Sequence, residues 1–169
     1  MRACLLVVVA ATALISVPSS SGRLAPPIIH GYPYAARCPR AGVTDVVDRW
    51  GMYACNCTSY VAWALQANHQ PIDWFVRGAM NAWNWPHVAR LAGLRVDRDP
   101  AVGSVAVWPH LAKPFGHVAY VTGVPGSGLV NVAEYNRPVP GGKQTFLFDT
   151  RVDVSTIGAV FIHVPQEHE

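Results

Sequence analysis

Charge is scarce in this chain: Asp, Glu, Lys and Arg make up 14% of its 169 residues, and only 10 residues are acidic. The net charge of +3 is spread thinly, with no basic run and no interleaving of basic with aromatic residues, which excludes a nucleic-acid partner. No apolar run reaches the roughly 20 residues that cross a bilayer comfortably; the longest, from Ala3 to Val17, falls short of it. No grouping of His, Cys and acidic residues has metal-ligand spacing, so neither a metal nor another cofactor is expected. Internal repeats and low-complexity tails are missing as well, which excludes a solenoid. Cysteine is rare: Cys4, Cys38, Cys55 and Cys57 are the whole complement.

What is present is apolar. At 51% hydrophobic, the chain can bury one sizeable core but is too short for two. Arg2, the apolar run behind it and the small residues Ser19-Ser20-Ser21-Gly22 read as a secretory signal. Residues 1–25 are assigned to that segment, with cleavage between Ser19 and Pro26, and residues 26–169 to a single domain. The exported product, of about 145 residues, keeps no second membrane segment and is expected to be a monomer without membrane attachment.

Cys4 leaves with the signal, so three cysteines remain. An odd count in an exported protein suggests one disulfide and one free thiol. A Cys55–Cys57 bond would close a strained small ring and consume the thiol at a helix start. A Cys38–Cys55 bond closes a loop of about 18 residues, worth ~3 kcal/mol by loop entropy, and leaves Cys57 free. The alternative is three reduced, buried thiols, which export disfavours.

Along the chain, residues 24–40 are rich in Pro, Gly and Tyr and read as an extended lead-in. Cys57, Val61, Ala64, Leu65 and Asn68 recur at helical spacing, with Asn56 as N-cap and Pro71 beyond the end. A second helix is predicted from Ala79 to Ala92, stopped by Gly93. Strands are predicted over Gly103–Trp108, His117–Val124, Leu129–Tyr135 and about Ile157–Val164, with Gly126-Ser127-Gly128 as a turn. Helices followed by an antiparallel sheet indicate an α+β fold.

One constellation carries chemistry. Cys57 opens a helix, where the dipole and free N–H groups favour a thiolate. His117 opens a strand and can take the thiol proton. Glu134-Tyr135-Asn136, ending another strand, offers groups to orient an imidazole. Period two places His117, Ala119 and Val121 on one face, and Val130, Val132, Glu134 and Asn136 on one face of the next strand. The helix carrying Cys57 is expected to pack on that face and complete the set.

These residues carry a resemblance. Trp50-Gly51-Met52-Tyr53 leading into Asn56-Cys57-Thr58-Ser59-Tyr60-Val61-Ala62-Trp63, Asn81-Ala82-Trp83, Pro100 to Trp108, Gly116-His117-Val118-Ala119-Tyr120-Val121 and Val132-Ala133-Glu134-Tyr135-Asn136 occur in the order typical of the CHAP family. This family comprises cysteine- and histidine-dependent amidohydrolases and peptidases, and the resemblance runs from about Gly31 to Val164. It implies a papain-like α+β fold, with N-terminal helices packed on an antiparallel sheet. It implies Cys57 as nucleophile, His117 as base and Glu134 as orienting group, with Asn136 close by. Peptidoglycan, cut at an amide bond, is the substrate and partner it implies. The place of action is then outside the cell or in the envelope of a bacterium. The Cys57 N–H and Asn56 are the expected oxyanion donors.

The chain departs from that family at Ser104, where many members have Asp. Some phage members bind calcium through an acidic loop before the cysteine; here only Asp45 and Asp48 remain, separated by Val46-Val47. His30, His69, His87, His110, His163 and His168 are read as solvated. The tryptophans are read as core, with one or two available to line a groove, and Tyr60 as core or cleft wall. Two other functions fit the same residues: a wall-binding protein without turnover, and an exported antibacterial toxin with the same chemistry.

Overall fold

The computed structural model describes residues 26–38, 45–74, 81–139, 142–143, 146–154 and 158–167. The signal assignment to residues 1–25 lies outside them, as do His168 and the predicted helix positions 79–80.

Helix α1, Cys57–Ala67, is capped by Asn56, whose side chain accepts from the Cys57 N–H. Nine of its residues are buried, from Cys57 to Leu65. A helix apolar on nearly every side belongs in the interior of a domain. The second helix is shorter than predicted. A 3-10 turn at Ala82–Asn84 leads into α2, Trp85–Leu91, with Pro86 in its first turn. Proline lacks the N–H an interior helical position needs, so the α-helical stretch starts there instead of running through it.

Among the described residues eight strands follow: β1 (Arg95–Asp97), β2 (Val105–Trp108), β3 (His117–Gly126), β4 (Leu129–Tyr135), β5 (Pro138–Val139), β6 (Gly142–Lys143), β7 (Phe146–Asp153) and β8 (Val160–His163). Six of them form an antiparallel sheet in the order β1-β8-β2-β3-β4-β7, and β5 pairs with β6 alone. The fold is α+β. Strands β1, β5, β6 and β7 are additions to the four strands expected from the sequence: β1 has three residues and β5 and β6 two each, too few for a period-two signal.

Each face of the sheet has its own core. Tyr60, Val61, Ala64 and Leu65 of α1 pack with Val105, Val107, Val118, Tyr120, Ala133 and Tyr135. The other face holds Ala106, Trp108, Ala119, Val121, Val130 and Val132, with Leu111 and Val154 against it. This corrects one expectation. By strand alternation His117 and Glu134 belong to the second face, so α1 packs on the face opposite to them. The face that α1 covers presents Tyr120, Tyr135 and valines, an apolar surface that takes up the apolar helix.

The lead-in is fastened to α1. Ile28 N donates to Asn68 Oδ1 at 2.7 Å, Asn68 Nδ2 donates back to Ile28 O at 2.8 Å, and Tyr60 OH donates to Ile29 O at 3.0 Å. Tyr60, fully buried, is core and not cleft wall. Tyr32 meets Tyr34, Tyr60, Trp63 and Tyr135 at ring-centroid distances of 5.0–5.9 Å. A disulfide joins Cys38 to Cys55, and Cys57 is a free, buried thiol.

Candidate active site

Cys57 is the first residue of α1 and His117 the first residue of β3. Meeting at the ends of their elements, they come together although α1 covers the opposite face of the sheet. The thiol lies within hydrogen-bonding reach of the imidazole. On the far side of the ring, His117 Nε2 lies 2.7 Å from Glu134 Oε2, which leaves Nδ1 for the thiol. Both side chains are buried, His117 at 1% and Glu134 at 0% exposure.

Burial by itself lowers the affinity of an imidazole for its second proton. Here the charge and hydrogen bond of Cys57, and then those of Glu134, outweigh that effect and raise His117 to about 9. Trp108 stacks on the His117 ring at 5.9 Å and 29°, its direct cross-strand neighbour in the β2–β3 register.

Local sequence explains each placement. Asp48 Oδ1 accepts from the N–H of Trp50 at 2.9 Å and of Met52 at 2.9 Å, closing the turn that precedes the cysteine. Asp48 is thus a turn residue, and among the described residues no cluster of His, Cys, Asp and Glu could hold a metal ion. Cys55 has φ +66°, and Tyr32 OH accepts its N–H at 3.0 Å. Asn136, with φ +57°, turns the chain just past β4; Asn tolerates that region better than most residues. Ser104 closes a turn of its own, its hydroxyl donating to Ala101 O at 2.6 Å.

Asn56 and Asn136 meet as well. Asn136 Nδ2 donates to Asn56 Oδ1 at 3.2 Å, and the Cys57 N–H donates to the same oxygen at 2.8 Å. The Cys57 N–H, expected to face an oxyanion, is therefore occupied by its own N-cap. Asn56 Nδ2 is the half of that amide left to donate into the cleft. Asn136 Oδ1 is buried and makes no hydrogen bond.

The cleft, about 230 Å³, is lined by Cys57 and His117 together with Tyr53, Asn56, Phe115 and Asn136. Phe115 and Tyr53 are 58% and 46% exposed and form apolar walls at its mouth. No Lys, Arg, Asp or Glu lines it among the described residues. The tryptophans read as groove candidates are mostly core; Trp83, half exposed, is joined to the cleft loop by its N–H, which donates to Phe115 O at 3.1 Å. His30, His69, His87 and His110 are exposed. His163 is not solvated as read: its ring bonds Asp97 Oδ1 and Arg95 Nη2, each at 2.9 Å. A three-residue edge strand had no sequence signal to place Arg95 and Asp97 beside it. Arg137 also escaped the sequence reading, although it lies three residues beyond Glu134. Its Nη1 is 2.8 Å from Glu134 Oε1.

The CHAP domain family matches residues 47–136, more than half of the chain. The probable autolysin LDP of Staphylococcus aureus is 35% identical over 92 residues, covering 54% of this chain and 32% of that protein. The N-acetylmuramoyl-L-alanine amidase sle1 of Staphylococcus haemolyticus is 39% identical over 66 residues, covering 39% of this chain and 20% of that protein. The chain thus spans about a third or less of the length of these relatives. A crystal structure of N-acetylmuramoyl-L-alanine amidase from Staphylococcus aureus superposes with a TM-score of 0.55 at 20% identity, covering 67% of this chain and 32% of that one.

Proposed function

The chain belongs to the CHAP domain family, and from that premise we propose that it is an exported, papain-like cysteine hydrolase acting on amide bonds of bacterial peptidoglycan. The observation that carries this reading is the chain of contacts from Cys57 to His117 to Glu134, in which Cys57 and His117 line a cleft and Glu134 is buried behind the imidazole. The resemblance to proteins described as an autolysin and an amidase supports a wall substrate. The signal-like residues 1–25 support export.

The Cys57 sulfur, as thiolate, attacks the carbonyl carbon of the scissile amide, forming a C–S bond. His117 Nδ1 passes its proton to the amide nitrogen as the C–N bond breaks, and the amine leaves. The thioester is then attacked by water, whose proton goes to Nδ1, and the carboxylic acid departs as the thiolate reforms. Glu134 fixes the ring through Nε2 and balances the imidazolium. Asn56 Nδ2 is the oxyanion donor; the Cys57 N–H contributes once the Asn56 side chain releases it. One such donor is typically worth ~3 kcal/mol.

The absence of charged lining among the described residues suits a scissile bond flanked by uncharged groups. The test is incubation of purified peptidoglycan with wild type and Cys57→Ala, followed by mass analysis of soluble fragments. New amine and carboxyl ends are expected with wild type alone. Binding without release of fragments would replace the enzyme reading by that of a wall-binding protein.

A further inference from the structure

Glu134 is wholly buried, and each of its oxygens has one cationic or protonatable partner: Oε2 faces His117 Nε2 at 2.7 Å, and Oε1 faces Arg137 Nη1 at 2.8 Å. The Arg137 side chain is 18% exposed, so the guanidinium reaches inward from the surface turn beyond β4. It also lies over the ring of Trp108, 6.0 Å from its centroid, and Trp108 stacks on His117. Arg137, Trp108, His117 and Glu134 therefore form one closed cluster beneath the cleft. Among the described residues, the charged and titratable groups facing it are Cys57 from α1, His117 from β3, and Glu134 and Arg137 from β4 and the turn after it. Strand β2 contributes Trp108, which does not titrate.

We propose that Arg137 is a positioning residue for the proposed hydrolysis, a second clamp on Glu134 that keeps it an anionic acceptor at every step, including those in which His117 is neutral. The inference rests on the reading of Glu134 as the orienting group.

The physical argument is charge balance in a dry site. A buried carboxylate is costly unless it is paired and hydrogen-bonded on its remaining lone pairs. While the thiolate and imidazolium coexist, His117 supplies a positive partner. Once the imidazole has given its proton to the leaving amine, the ring is neutral and Glu134 would be a buried anion beside an uncharged donor. A proton could then settle on the carboxyl, the Nε2–H would lose its acceptor, and the ring would be free to turn Nδ1 away from the incoming water. A fixed guanidinium on Oε1 opposes this without touching substrate. The i,i+3 spacing is made possible by the left-handed Asn136 between the two residues.

The test follows the alkylation rate of Cys57 by iodoacetamide against pH, alongside peptidoglycan turnover, in wild type, Glu134→Gln, Arg137→Met and Arg137→Lys. Arg137→Met should move the acid limb of both profiles up by at least one pH unit, and Arg137→Lys should restore most of that shift. In the Glu134→Gln background, Arg137→Met should have little further effect, because no carboxylate remains to be held. That double variant also serves if Arg137→Met alone does not fold. A uniform loss at all pH values, not restored by lysine, would show a purely structural arginine and overturn the proposal. If Glu134→Gln moves the profiles and Arg137→Met does not, only this inference falls. If Glu134→Gln leaves both unchanged, the orienting role of Glu134 itself is wrong, and the inference falls with it.

Discussion

Tyr32 OH accepts the backbone N–H of Cys55 at 3.0 Å and also hydrogen-bonds the Ser59 hydroxyl, so a residue of the lead-in holds the loop that presents Cys57. Burial raises the Tyr32 hydroxyl to about 12, keeping it protonated and neutral. Tyr32→Phe removes that oxygen and leaves a buried N–H without its acceptor. The expected loss is ~1–3 kcal/mol of stability, together with reduced Cys57 alkylation. Urea unfolding and thiol labelling of the variant check both.

Gly116 is the second point at which backbone geometry governs the site. With φ +76°, it precedes His117, and a Cβ there would lie 2.4 Å from Trp83 N and 2.9 Å from Trp83 Cα. Both obstacles are backbone atoms and cannot swing aside. Gly116→Ala should cost at least ~1 kcal/mol from the left-handed conformation alone, with the clash adding to it. His117 should be displaced. Turnover is expected to fall by more than the loss of folded fraction explains, as activity per folded molecule will show.

Removing the Cys38–Cys55 bond by Cys38→Ser/Cys55→Ser should lower stability by ~2–5 kcal/mol, the usual range for a native disulfide in a small domain. Because Cys57 is not part of the bond, the chemistry should survive below the melting temperature. Comparison of Tm and low-temperature turnover tests this. A variant of unchanged Tm that has lost turnover would show that the bond serves the site instead of the fold.

The pH dependence of stability follows from His117. Its affinity for a proton is raised from 6.5 to about 9 in the folded chain, so the folded state binds that proton more tightly than the unfolded one. The stabilisation is fully present below pH 6.5 and is lost as pH rises through about 9. Relative to His117→Gln, the wild type should therefore lose its Tm advantage between those two values. A difference that stays constant from pH 6 to pH 10, or grows with pH, would contradict the ion pair.

Sequence by itself determined the pieces of this protein that depend on short-range rules. The helical spacing from Cys57 to Asn68 and the Asn56 cap located α1, and alternation located the strands carrying His117 and Glu134. The order of motifs made the family legible. Pairing was another matter, because a strand's pattern says which residues share a face but not which face a helix will cover. Only the folded chain put α1 over Tyr120 and Tyr135, opposite His117, and brought Cys57 to the imidazole at the ends of their elements. The same holds for Arg137 on Glu134, Trp108 on His117 and Tyr32 on Cys55. Each joins residues through a positive-φ turn, a cross-strand register or a long chain separation. Such contacts are set by the packing of the whole domain, where burial of apolar surface outweighs local preference.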